Sequence, residues 1–502
     1  MNVKRKKRLF NLVGVCIIIL WLFTIGQLVK RVSFSAPGGQ TDLVADKISA
    51  VESHETDWME IYLKGKKVGY SMNQISPFGE HYLIREEILL KLGLMGQPSV
   101  MRAVTRCIVD HEFILRNFRF RMTSGIVTFQ VSGRVEGDGM HLTVGEGVSQ
   151  RTEYIKLSAP PMIGSGTAQF FKGRRIEVGQ SFKFPIFDPS TMAQTELVIK
   201  VAGREGLVIN RIKYGTFRLE TEMWGQQMTF WLDEHGAVLK EEGFMGLTLI
   251  KSSAAGASED IEGGGAEDFY EMAAINVKRK LQDPDRLTYL KLEVAGLDEA
   301  HFDTGILNDG RQRLSGGMLE IVREKTPLKA AYSLPYPDYS GEMGPFLRPE
   351  FSVESDESLI VENARRIAGD TKDPVAVATR LLAWVHENVE KRPVVTVPSA
   401  LEVLKTRVGD CNEHTVLLTA LLRSAGIPAR VCVGLVYARG KFFYHAWTEG
   451  YVGKWISMDA TTNQMPADAT HIKLVQGGLD RQVEIIGLIG KLRLEVNAYR
   501  YD

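Results

Sequence analysis

Gly409-Asp410-Cys411-Asn412-Glu413-His414 opens the stretch on which the fold of this chain turns. An apolar run follows and ends in Gly426-Ile427-Pro428-Ala429-Arg430; then come Tyr444-His445-Ala446-Trp447-Thr448-Glu449 and Trp455-Ile456-Ser457-Met458-Asp459-Ala460-Thr461. Asp410 with Glu413 three residues later has the form of a capping box, which puts Cys411 at the first position of a helix. That helix runs to about Ser424, where Gly426 and Pro428 stop it. Val416, Leu417, Leu418, Ala420, Leu421 and Leu422 make it mostly buried, and Thr415, Thr419 and Arg423, four apart, form its polar stripe. A thiol at its first position lies at the positive end of the helix dipole, which favours thiolate below the ordinary pKa of about 8.5, while the Asp410 carboxylate opposes this slightly and calls for an imidazole nearby as well.

Residues 442–449 read as a strand with His445, Trp447 and Glu449 on one face, and residues 454–459 as the returning strand. A three-residue loop at 451–453, with Gly453 in the left-handed position, sets His445 directly across from Asp459, Cβ atoms about 4.5–5.5 Å apart. Cys411, His445 and Asp459 are therefore the expected nucleophile, base and orienting carboxylate. His414, three after Cys411, could begin a metal site, but no second pair completes it, so neither a metal nor a cofactor is expected. His414 is also an alternative base without an identifiable carboxylate partner, and Asp468 is the substitute for Asp459. Trp447, Trp455 and Glu449 read as structural or groove-lining.

Together these blocks resemble the core of the transglutaminase-like superfamily, in its bacterial membrane-linked branch, over residues 345–478. The resemblance implies a papain-type domain with a Cys, His, Asp triad on Cys411, His445 and Asp459. It implies acyl transfer at an amide of a protein or peptide: Cys411 attacks the carbonyl, His445 protonates the departing amine, Asp459 holds the ring, and water or an amine resolves the thioester. Backbone amides at the helix start, including that of Cys411, are the implied oxyanion donors. No tryptophan stands shortly before Cys411 to add an indole donor, and no calcium loop is present.

Outward from this centre the chain is ordinary in composition. Its 502 residues, 44% apolar and 24% charged, suit roughly two to four globular domains. Lys+Arg and Asp+Glu both number 61, so no net field draws nucleic acid. Four cysteines are too few for a disulfide scaffold; Cys107 and Cys432, in strand-like surroundings, read as buried small hydrophobes. Lys4-Arg5-Lys6-Lys7-Arg8 precedes residues 9–29, in which Cys16 is the sole ionisable group. That length spans roughly 30 Å of bilayer, the basic cluster predicts a cytoplasmic N-terminus, and a cleaved signal peptide would have a shorter apolar core. The expectation is a single-pass inner-membrane protein whose bulk is extracytoplasmic.

The expected fold class is α+β multidomain. Its parts are a basic tail and transmembrane anchor (1–31), a tether (32–50), an antiparallel β-rich region divisible into two lobes (51–251) and an acidic, glycine-rich linker (252–268). A small β module (269–332), a proline-rich connection (333–350), the transglutaminase-like domain (351–480) and a C-terminal segment (481–502) follow. His81, His111, His141 and His235 are isolated and read as structural. The leading function is a membrane-anchored cysteine hydrolase or acyltransferase; the rival is an envelope protein that uses the same fold to bind a partner without catalysis. Neither substrate nor oligomeric state is encoded in these motifs.

Overall fold

The computed structural model describes residues 55–94, 96–145, 150–262, 268–297, 305–327, 331–394, 397–478, 481 and 483–501. The first 198 residues of that span, 55–252, are dominated by one antiparallel sheet. Its strands are β1 (Glu55–Leu63), β2 (Lys66–Phe78), β3 (His81–Leu94), β4 (Gln97–Val109), β5 (Leu115–Ser124), β6 (Val127–Glu136), β7 (Gly139–Val144), β8 (Arg151–Lys156), β9 (Ser181–Asp188), β10 (Ala193–Ile209), β11 (Ile212–Met223), β12 (Gln226–Leu232), β13 (Val238–Glu242) and β14 (Leu247–Ser252). Neighbours in sequence pair throughout except β8 and β9, which form the two edges, and β1 pairs with β14, from Trp58 opposite Ser252 to Leu63 opposite Leu247. What reads as two lobes is thus a single 14-stranded sheet stitched at its middle. The strands bury every second side chain, as Phe118, Phe120 and Met122 on β5 and Val127, Phe129 and Val131 on β6 show. Helix α1 (Gly164–Phe171) packs on β9.

Residues 253–259, read as linker, cap the sheet instead. Helix α2 (Ala254–Ser258) buries Ala257, and Lys67 donates to Glu259 O at 2.6 Å. A second short helix, α3 (Phe269–Ala273), bridges the sheet to the domain beyond: its cap Asp268 accepts from Gly96 N at 2.5 Å, while Tyr270 and Met272 pack on the Ile61, Leu90 and Leu92 cluster.

The C-terminal half has one core built from two small sheets and four helices. One sheet holds β15 (Ile275–Asn276), β21 (Ala429–Ala438), β22 (Lys441–Tyr451), β23 (Trp455–Met458) and β24 (Ile472–Gln476); the other holds β16 (Leu287–Ala295), β17 (Gln312–Ser315), β18 (Met318–Val322) and β25 (Arg493–Tyr501). A two-stranded parallel pair, β19 (Glu390–Lys391) and β20 (Val408–Gly409), lies beside the helices. The helices are α4 (Ser358–Ala368), α5 (Pro374–Asn388), α6 (Ala400–Thr406) and α7 (Cys411–Ser424), and α7 touches the other three as well as β21 and β22. All its residues from Glu413 to Arg423 are buried. Its four leucines each contribute about 1.5–3 kcal/mol of apolar transfer before ordering entropy is counted. The Thr415, Thr419, Arg423 stripe is internal rather than solvated: Thr419 Oγ1 donates to Thr415 O at 2.8 Å and meets Thr448 Oγ1 at 3.0 Å, and Arg423 Nε donates to Ala429 O at 2.8 Å.

Two expectations need correction. The described residues are not a balanced α+β mixture; they are mostly strand, 49% against 20% helix, because the 14-stranded sheet supplies most of the strand residues. Among the described residues no helix is long and apolar enough to cross a membrane. The longest of these, α5 with 15 residues, rises about 22 Å, short of a hydrocarbon core of about 30 Å. Residues 9–29, the expected anchor, lie outside the described residues, and no helix among the described residues supports the single-pass inner-membrane assignment.

Candidate active site

Cys411 is the first residue of α7, held there by its cap. The Asp410 carboxylate accepts from Asn412 N at 3.0 Å, and Glu413 reaches back to accept from Asp410 N at 2.9 Å. This capping box is worth about 1 kcal/mol, and it fixes Cys411 at the first position of α7. The Ala446 N–H on β22 faces the Cys411 sulfur, and the thiol is only partly exposed.

The thiol's ionisation runs against the sequence expectation. Burial pushes Cys411 well above its ordinary value, the Asp410 carboxylate pushes it further, and the Ala446 N–H opposes both. The dipole of α7 acts in the opposite sense but is worth at most about 2 kcal/mol, and here the cap carboxylate sits against it. Cys411 is therefore a thiol that needs a base, rather than a thiolate made by position alone.

His445 and Asp459 meet, although not through the expected register. The hairpin pairs Thr448 with Met458 and Tyr451 with Trp455, so the loop is Val452-Gly453-Lys454 and Asp459 falls two residues short of the position opposite His445. Gly453 does take the left-handed conformation, φ 105°. A shift by two keeps both residues on the same face, and at Asp459 the chain leaves the strand for a turn closed by Asp459 N to Gln464 O at 2.9 Å. From that turn Asp459 Oδ2 lies 2.9 Å from His445 Nε2. Because Nε2 is committed to the carboxylate, Nδ1 is the imidazole nitrogen left for the thiol.

Asp459 is fully buried and heavily bonded. Thr461 N donates to Oδ1 at 2.7 Å and Thr462 Oγ1 to Oδ2 at 2.7 Å. A second imidazole, His471 Nε2, reaches the same Oδ2 at 3.1 Å. Burial by itself would raise this carboxyl; His445 and His471 overcome it and hold Asp459 well below the usual range. His445, Asp459 and His471 present donor atoms within 4.8 Å of one another, a spacing that also suits a cation. Both imidazoles, however, spend Nε2 on Asp459 Oδ2, and a metal ion would have to displace two protons, so hydrogen bonding accounts for the cluster.

His414, the alternative base, is turned away from this role. It is fully buried, its Nδ1 lies 2.7 Å from Asp410 O in its own helix, and burial lowers its pKa. Asp468, the substitute carboxylate, serves His471 at 3.3 Å. Glu449 is structural: Lys473 Nζ donates to it at 2.8 and 2.9 Å, and Arg430 Nε at 2.8 Å.

Residues 362–460 match the sequence model of the transglutaminase-like superfamily. The chain carries a transglutaminase-like domain. Such a core supports a cysteine-type enzyme in general. No curated protein matches the chain. Among solved structures it is similar to a candidate cysteine protease from Cytophaga hutchinsonii, with 18% identity, 43% of this chain and 86% of that one covered and a TM-score of 0.28. It is also similar to a β-barrel-like protein of a domain of unknown function from Brucella abortus, with 10% identity, coverages of 39% and 95% and a TM-score of 0.31. A candidate protease from Parabacteroides distasonis aligns at 11% identity over 68% of each chain, TM-score 0.18.

Three residues around the transglutaminase-like site escape sequence reasoning. Tyr270 on α3 donates from its hydroxyl to Asp410 Oδ2 at 2.6 Å, linking the large sheet's strap to the cap of α7; burial, then the Asp410 and Cys411 charges, push its phenol well up. Nothing in Phe269-Tyr270-Glu271 marks it, because the contact spans 140 residues. Gly434 is the cross-strand partner of His445, and a Cβ there would stand 1.8 Å from Ile472 O. Glycine at that position is what lets β24, and His471 just before it, approach the imidazole. His471 itself has a faint signal in Asp468-Ala469-Thr470-His471, where a carboxylate and an imidazole three apart follow the third block.

Proposed function

We propose that the chain is a cysteine enzyme that attacks an amide carbonyl of a protein or peptide through a thioester, with Cys411 as nucleophile, His445 as base and acid, and Asp459 as the orienting carboxylate. The observation that carries this reading is the 2.9 Å contact of His445 Nε2 with Asp459 Oδ2, on the strand whose Ala446 N–H faces the Cys411 sulfur. His445 Nδ1 accepts the thiol proton as sulfur bonds to the carbonyl carbon. The tetrahedral oxyanion collapses, the C–N bond breaks, and the departing amine takes that proton from Nδ1. Water or an amine then adds to the thioester, gives its proton to Nδ1, and the C–S bond breaks with return of the proton to sulfur. Asp410 occupies the N–H groups of Asn412 and Glu413. The Cys411 N–H, at the first helical position with no intrahelical acceptor, is left for the oxyanion.

A raised thiol favours this base-assisted route, since little thiolate exists until His445 takes the proton. The test is mass spectrometry of Cys411 after incubation with a peptide library and rapid acid quench. An acyl adduct on Cys411 in the wild type, lost in His445→Ala, is the expected result; an unmodified Cys411 with every library member would overturn the reading.

A further inference from the structure

The triad does not end at Asp459. His471 is completely buried, and its two nitrogens are each aimed at a carboxylate: Nε2 lies 3.1 Å from Asp459 Oδ2 and Nδ1 3.3 Å from Asp468 Oδ1. Asp468 is fixed in turn, since its Oδ1 accepts from Thr470 N at 2.8 Å and Thr470 Oγ1 at 2.6 Å. The loop that carries Asp468 is pinned from outside the catalytic sheet. Arg311, just before β17, donates to the Asp468 carbonyl and, at 2.8 Å, to Ser457 Oγ, and Arg323 Nη2 donates to Pro466 O at 2.8 Å. Gln312 closes a two-way bond with Lys473, donating to its carbonyl at 2.6 Å and accepting from its N–H at 2.9 Å. A continuous line of partners thus runs from the β16–β18 sheet through Asp468, His471 and Asp459 to His445.

We propose that His471 is a positioning residue, a buried clamp between Asp468 and Asp459 that fixes the Asp459 carboxylate and shares its charge with His445. The inference rests on the functional reading above. Two carboxylates facing one imidazole in a dry site favour its doubly protonated form, because each nitrogen then donates and neither acid is left unpaired. Burial alone would lower His471; Asp468 and Asp459 outweigh it and raise its pKa to about 9. The groups around it are Asp459 and Asp468, the His445 ring 5.7 Å away, the edge-on Trp447 ring at 5.3 Å, and the Arg311 guanidinium on the Asp468 carbonyl. Beyond Asp459 lies Cys411. A cation on the far side of Asp459 weakens that carboxylate's hold on a proton at His445, so His445 gives its proton up more readily to a leaving amine.

The test is side-chain ¹⁵N NMR of the full chain labelled at histidine, with the His445 and His471 signals assigned by substitution. In the wild type, both His471 nitrogens are expected to be protonated at pH 7.5. In Asp468→Asn, which keeps the shape of the clamp while removing its outer charge, His471 is expected to lose its second proton at a lower pH than in the wild type, and in His471→Gln the signal of His445 Nε2, bonded to the shared Asp459 carboxylate, is expected to shift. A neutral His471 in the wild type, or a His445 Nε2 signal unmoved in His471→Gln, overturns the proposal; a merely structural His471 would lower thermal stability and leave the His445 signal in place. The measurement needs no turnover, so a failure to trap an acyl group on Cys411 would sink the functional reading while leaving this result standing.

Discussion

The large sheet and the transglutaminase-like half treat charge in opposite ways. In the sheet, ion pairs cross strands largely on the wet face, as Lys183 and Glu196 do at 2.9 Å with side chains 69% and 59% exposed, and the buried Glu87 is the exception, met by the more exposed Arg85 and Arg102. Around Asp459 and Glu449 the ionised groups are taken out of water altogether: Lys473 and His471 are 0% exposed, and each is met by two carboxylates. Surface pairs of the first kind contribute little. Buried pairs of the second kind cost desolvation that their attraction barely repays, so they hold a geometry more than they add stability. The sheet is a regular scaffold of hairpins; the other half concentrates its unfavourable burial where Cys411, His445 and Asp459 must be held.

The contrast breaks first at the triad. Asp459→Asn leaves the packing volume intact but presents His445 with a group that can donate instead of accept, and acylation of Cys411 is expected to slow on the order of 10³-fold, measured by adduct formation against time. Lys473→Met is next: it leaves the buried Glu449, which burial would raise and which Lys473 and Arg430 hold at about 2, with Arg430 alone, and should cost about 3 kcal/mol in urea unfolding. Lys183→Met in the sheet should cost no more than about 1 kcal/mol.

The pH dependence of stability sharpens the same contrast. His471 has a folded pKa raised to about 9, above its ordinary value of about 6.5. Its contribution is fully present below about 6.5 and is lost as pH rises through 9, on the order of 3 kcal/mol. Asp468, where burial is overcome by His471, sits at about 2, and its contribution is present above about 4 and fades as pH falls toward 2. Unfolding of the wild type should therefore become easier between pH 7 and 9, and His471→Gln should flatten that slope; an unchanged slope would contradict the buried imidazolium. The last comparison concerns glycine. Gly434→Ala drives a methyl into Ile472 O and should cost at least about 1–3 kcal/mol, whereas at Gly206, where the nearest atom to an added Cβ is Lys213 Cε at 3.5 Å, alanine should change thermal stability by less than about 1 kcal/mol.

The same two regions differ in how much of them could be read from residues. Local signals carried the helix that begins at Cys411: Asp410, Glu413, Gly426 and Pro428 place its ends, and α7 runs Cys411–Ser424. The facing of His445 and Asp459 was legible as parity along two strands, while the register was not. Gly453 alone does not say whether the loop begins at Tyr451 or Val452, and the Val452 N to Lys454 O bond at 3.0 Å decides it. The direction of the Cys411 shift was misjudged because position on a helix can be read from sequence and burial cannot. In the sheet, each hairpin was visible, but the pairing of Trp58 with Ser252 that fuses them joins residues 194 apart, beyond any local pattern. His471 was hidden for the same reason: its meaning lies in Asp459 and Gly434, which only the fold brings to it.

Three of the four cysteines lie among the described residues, and they allow the most direct test of whether Cys411 is the nucleophile. Cys107 in the sheet and Cys432 on β21 are buried, and burial pushes both thiols well up, as it does for Cys411. Of these three, Cys411 is the one faced by the Ala446 N–H, on the strand that also carries His445, and acted on by the Asp459 charge. Residue-resolved mass spectrometry of iodoacetamide labelling at pH 7.5 should find Cys411 modified at least about 100-fold faster than Cys107 and Cys432, and His445→Ala should remove at least about 10-fold of that lead. Equal rates at the three sites, or a Cys411 rate indifferent to His445→Ala, would contradict the account.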